Sequence, residues 1–180
     1  CGRLTRLSGK GTLENREQVT MTGLTQGPSG KLVRIVEKTD GLVMAECETV
    51  CIAVWRKDSV LTRFNVQRST LVDLAGRFPG RTGFLCVVEP TSGPPGDEVR
   101  KATSRMFDEL GTQLKAIAMV IEGTGFRSAL VRSVASGIVM LSRKRDVPIS
   151  YLATVNEGVR WMAQHMTIRH EEDVAHAVEE

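Results

Sequence analysis

A chain of 180 residues holds one domain with extensions, or at most two small units. Its 41% hydrophobic residues allow a core of ordinary size, and with only 4% aromatics that core is aliphatic. The net charge of +3 is too small to argue for nucleic acid, and no apolar run approaches the ~18 residues that span a bilayer.

Residues 1–30 are rich in Gly, Ser, Thr, Gln and Arg, with no sustained apolar period. They read as a flexible extension, closed by Gln26-Gly27-Pro28-Ser29-Gly30. No secretory segment is visible, and Cys1-Gly2 reads as part of an upstream extension, with Met21 an alternative start. The alternation in Lys31–Lys38 predicts a strand, and Asp40-Gly41 is a hairpin signal. Leu42–Ala45 and Val50–Trp55 read as one long or two short strands, with a polar stretch, Glu46–Thr49, between them. On one continuous strand Cys47 and Cys51 would share a face about 13 Å apart, too far for a disulfide. The pattern of four cysteines fits a reducing compartment.

Asp58-Ser59 offers an N-cap to a helix carrying Leu61, Phe64, Leu71, Ala75 and Phe78. Thr82–Glu89 is a continuous apolar run, a strand covered on both faces. Asp97 caps the next helix, whose stripe is Val99, Ala102, Met106, Leu110 and Leu114. Ala116–Ile121 is a second buried strand. It meets the glycine-broken turn Glu122-Gly123-Thr124-Gly125. A helix then runs from about Arg127 to Arg143, with Leu130, Val134, Ile138 and Leu141 on its buried face. Gly137 within it is explained by close packing on the sheet. A strand at Ile149–Val155 and a short helix capped by Asn156 follow. Residues 167–180 form an acidic tail. Positive charge gathers in residues 1–36 and negative charge in residues 166–180, the pattern of solvated extensions.

The chain is thus an α/β protein with a mixed sheet, an antiparallel N-terminal hairpin and helices packed on the sheet. The carboxyl end of a strand is where sites are built in such folds. Gly123 and Gly125 let the backbone approach a ligand, Arg127 adds charge, and a helix N-terminus attracts anions. The plain alternative is a tight turn with Ser128 as N-cap and Arg127 in solvent. Glu89 and Glu122 each end a strand, where a carboxylate pair serves acid/base work or lies on a solvated rim. His165, His170 and His176 lack metal-ligand spacing, so neither metal nor cofactor is expected.

The order of elements and the segments TGFLCVVE (82–89), AIAMVIEGTGFRSALVRSVASGIVML (116–141) and ISYLATVNEGVRWM (149–162) resemble the STAS-like superfamily. These bacterial domains are relatives of the anti-sigma-factor antagonists, and they share a fold class with the lipid-binding CRAL-TRIO domains. The resemblance spans residues 31–166. It implies a phosphorylatable serine at the start of the helix after the strand–turn, within an Asp-Ser-Ser-Gly motif. The matching place here is Phe126-Arg127-Ser128-Ala129, so Ser128, with Thr124 just before it, takes the switch position while Arg127 and Ala129 replace the Asp and Gly.

The expected function is a non-enzymatic, cytoplasmic regulatory module acting through residues 121–143 on a protein partner, or on a second copy in a homodimer. A small-ligand or lipid-binding domain is the alternative implied by the CRAL-TRIO kinship. An enzyme using Glu89 or Glu122 comes third.

Overall fold

Val50–Trp55 is apolar without interruption, which suits a strand covered on both faces. The computed structural model describes residues 23–125, 129–134, 137 and 147–179. It places this strand in the middle of a seven-stranded sheet, buried at all six positions. In chain order the strands are β1 (Gly23–Gln26), β2 (Leu32–Lys38), β3 (Leu42–Cys47), β4 (Val50–Trp55), β5 (Thr82–Val88), β6 (Leu114–Ile121) and β7 (Ile149–Leu152). They lie side by side in that same order. β1 to β4 are antiparallel, and β4 to β7 are parallel.

Each parallel step goes to the next strand, so the right-handed crossover rule sends successive crossovers to one face. That face holds α1 (Leu61–Arg77) and α2 (Asp97–Leu110). Phe64, Leu71, Leu74, Met106 and Phe107 pack there against Met44, Cys51, Phe84 and Ile117. The other face carries α3 (Val155–Ala163) and α4 (Glu171–Glu179), with Val159, Met162, Val174 and Ala177 on Ile52, Leu85, Ala118 and Val120. α3 sits close to the sheet because Gly158 has no side chain. A Cβ there would come 2.9 Å from Val120 Cγ2. No helix among the described residues is long and apolar enough to cross a membrane.

Both ends of the chain differ from expectation. Residues 23–30, predicted within the flexible extension, supply β1 and the loop that joins it to β2. Asp173 of α4 accepts from Ser29 N–H at 2.9 Å and from the Ser29 hydroxyl. Gly27 is needed beside it, since a Cβ would fall 2.3 Å from Asp173 Oδ1. The acidic tail is therefore in part a packed helix, with Asp173, Val174 and Ala177 buried. Each of these two segments is weakly apolar alone, and they are stabilised by meeting each other. Residues 1–22 lie outside the described residues.

Local details differ as well. Cys47 and Cys51 stand on adjacent strands, because Glu48-Thr49 is a two-residue hairpin turn and Cys47 pairs with Val50. Their side chains enter opposite cores. Gly111, at φ 46°, ends α2, so Leu114 opens β6 instead of continuing the helical stripe. The N-caps are Val60, Gly96 and Thr154. Asp58 instead accepts from Gly93 N–H at 2.8 Å, and Asp97 sits in the first turn of α2. Thr154 forms a capping box with Glu157, which stops β7 at Leu152.

Candidate functional site

The carboxyl ends of β4, β5 and β6 are held level by backbone bonds. Glu89 N–H donates to Trp55 O, and Glu122 N–H to Val88 O, each at 3.0 Å. Glu89 and Glu122 thus stand on neighbouring strand ends. They line an open cleft of about 370 Å³ with Arg56, Asn156 and Glu179. Arg56 Nε donates to Glu89 Oε1 at 3.1 Å, and both side chains are about 30% exposed. A general base works best facing a substrate proton in a site that excludes water. Glu89 instead shares a wet ion pair.

β6 passes straight into the predicted turn. Gly123 and Gly125 adopt φ 85° and 91°, a conformation that residues with a Cβ rarely take. Thr124 lies exposed between them. Gly125 O accepts the helical bond from Ala129 N–H at 3.1 Å, and Arg132 Nη2 donates to Ile121 O at 3.3 Å. Arg127 and Ser128 lie outside the described residues.

Residues 129–134 are helical, but the helix is turned from its expected phase. Val131 is buried and Leu130, predicted on the buried face, is 40% exposed. Val131 faces inward and lines an apolar cavity together with Trp55, Phe107 and Met119. Ile138 and Leu141 are outside the described residues. Gly137 is not explained by close packing, since a Cβ there would meet nothing within 4 Å. Two more exposed apolar side chains, Val60 and Leu61, follow Ser59, which lines the same cavity as Val131. The carboxyl end therefore combines an exposed glycine turn with exposed apolar side chains.

The cysteines do not add a nucleophile here. Burial pushes the Cys86 thiol up to about 12, and the Cys51 thiol well above its ordinary value. Burial likewise raises Cys47 to about 12. His165 Nδ1 lies 2.9 Å from Trp161 O, and His170 and His176 sit beside Glu172 and Glu179. Among the described residues there is no cluster of three metal-ligating side chains.

A second concavity, of about 800 Å³, lies at the amino end of the parallel strands and was not foreseen from the sequence. Its cations, Lys31, Arg81, Lys115 and Arg169, come from four separate segments. Sheet register brings three of them together, and the loop after α3, tied to Glu48 through Arg169 N–H, adds the fourth.

No family model matches the chain, and no curated protein matches it.

Proposed function

We propose that this is a non-enzymatic regulatory module of the STAS-like kind, acting in the cytoplasm by docking a protein partner on the strand–turn–helix at 121–143. The observation that carries this is Leu130, exposed at 40% in the first turns after an exposed glycine turn. A side chain of that size left in water beside Thr124 is the kind of anchor that partners cover. Val60 and Leu61 are exposed too, following Ser59, which lines the cavity that Val131 lines. Thr124 and Ser128 are the sites of regulation. A phosphate placed where the chain enters a helix is electrostatically favoured there and adds charge to the docking surface. The buried, unbridged Cys47, Cys51 and Cys86 fit a reducing compartment.

The lipid alternative has less support. The apolar cavity beneath Val131 is about 80 Å³, against the roughly 300–1,000 Å³ of ordinary ligand pockets. The test is affinity purification of the full chain from its source cells, with phosphate mapping by mass spectrometry. A stoichiometric partner recovered with wild type and lost with Leu130→Asp supports docking here. Phosphate on Thr124 or Ser128 supports the switch. A protein always unmodified at both sites sinks the switch, and a partner retained by Leu130→Asp sinks the docking surface.

A further inference from the structure

The amino-end groove has a volume of about 800 Å³, in the range of small-molecule sites. Lys31 enters it at the start of β2, Arg81 just before β5 and Lys115 from the second position of β6. Arg169 enters from the loop between α3 and α4. Among the described residues none of these four forms an ion pair. By contrast Arg34, Arg56, Arg68 and Arg77 all do. The negative charges near the groove are fewer. α1 and α3 point their carboxyl ends toward it, each worth roughly half a charge, and Glu48 adds one more. About two positive charges remain unmatched.

Glu48 is the second distinctive feature. It sits in the β3–β4 hairpin at φ 52°, the one non-glycine residue with positive φ among the described residues. That conformation is the one a two-residue hairpin turn requires at its first position, and it fixes where the Glu48 side chain begins. Glu48 Oε2 accepts from Arg169 N–H at 3.2 Å. Glu48 Oε1 is shielded from water and has no hydrogen-bond partner. A shielded carboxylate oxygen with no donor is normally satisfied by something. Here the missing donor adjoins a cluster of unmatched cations. A fully deprotonated anion such as sulfate would answer the cations but not Glu48. A molecule with a phosphate and a hydroxyl or amino group answers both.

We infer that the amino-end groove binds a small, soluble phosphorylated metabolite, with its phosphate held by Lys31, Arg81, Lys115 and Arg169 and a hydroxyl or amino hydrogen donated to Glu48. His165 lines the same groove, its ring 4.2 Å from that of Trp161, so occupancy is reported by tryptophan fluorescence. The site is separate from the strand–turn–helix and stands or falls independently of it.

Calorimetric titration of the full chain with a hexose 6-phosphate, adenosine 5′-monophosphate and inorganic sulfate tests the inference. At least one hydroxyl-bearing probe is expected to bind one per chain with Kd below about 1 mM. Arg81→Ala and Lys115→Ala each weaken it about tenfold while leaving the thermal transition unchanged, since both side chains are exposed. Glu48→Gln also weakens the hydroxyl-bearing probe about tenfold. It leaves sulfate within about twofold if that binds. The inference is overturned if no probe saturates, if only sulfate binds, or if the cation variants bind as wild type does. Binding confined to phosphoinositide vesicles or to an acidic polypeptide also overturns it, in favour of a lipid surface or a protein.

Discussion

The carboxyl end of the parallel strands exposes Thr124 and the apolar Leu130, Val60 and Leu61, beside the Arg56–Glu89 ion pair. The amino end exposes Lys31, Arg81, Lys115 and Arg169. The difference follows from the crossovers. A strand leaving the carboxyl end must turn into a helix. That requires a tight turn, met here by Gly123 and Gly125, and it leaves the first helical side chains near the surface. A helix returning at the amino end brings its negative pole, which favours cations nearby. The cations present exceed what the helix poles need. One sheet thus separates exposed apolar side chains at one end from a polar groove at the other, and each can be substituted separately.

The largest expected effect is on the support that joins the two ends. α3 runs from the carboxyl cleft to the groove, and Met162 is its fully buried residue over Gly83. Met162→Ala is predicted to lower stability by about 2–5 kcal/mol in urea unfolding. Because Met162 lies near the amino end, the surviving folded protein should lose groove binding before it loses partner docking. Equal loss of both would break the separation.

Next comes the tie that carries Lys31 to the groove. Burial alone would raise the Asp173 pKa, but hydrogen bonds from the Ser29 side chain and backbone outweigh it. They hold the carboxyl below its ordinary 3.8. A lowered folded pKa means the stabilisation is complete above 3.8 and is lost as pH falls through the folded value. Asp173→Asn is expected to cost about 1–3 kcal/mol near neutrality and to flatten the acid limb of stability below pH 3.8. Thermal unfolding of both proteins across that range checks it. Docking at Leu130 should not change.

The smallest effect sharpens the comparison chemically. Cys86 lies under the carboxyl end and Cys47 beside the β3–β4 turn at the amino end, yet burial pushes both to about 12. In a Cys1→Ser background, a thiol reagent at about pH 8 should modify neither until the chain unfolds. Fast reaction at Cys47 alone would show that the amino end opens.

Much of this architecture is legible in the sequence. Thr82–Glu89 and Ala116–Ile121 could hardly be other than covered strands, and Gly123-Thr124-Gly125 marks the turn between β6 and the helix. The phase of that helix was not legible. Leu130 and Val131 are both apolar, Val134 suits either phase, and the choice is made by packing of Val131 toward Trp55, Phe107 and Met119, which no local pattern reports. The hairpin at 23–38 and α4 were missed as a pair because their bond, Ser29 to Asp173, spans 144 positions. The groove was missed for the same reason, since no two of its cations are neighbours in the chain. Local patterns report local structure, while register decides which distant charges meet.

The separation of the two ends is tested most directly by one crossed measurement. The partner recovered with wild type is purified and titrated against Leu130→Asp and against the Arg81→Ala, Lys115→Ala double variant. The account predicts that the first loses the partner and still binds a phosphorylated probe, while the second keeps the partner and loses the probe. Loss of both ligands in both variants, or partner binding that survives Leu130→Asp, would contradict it.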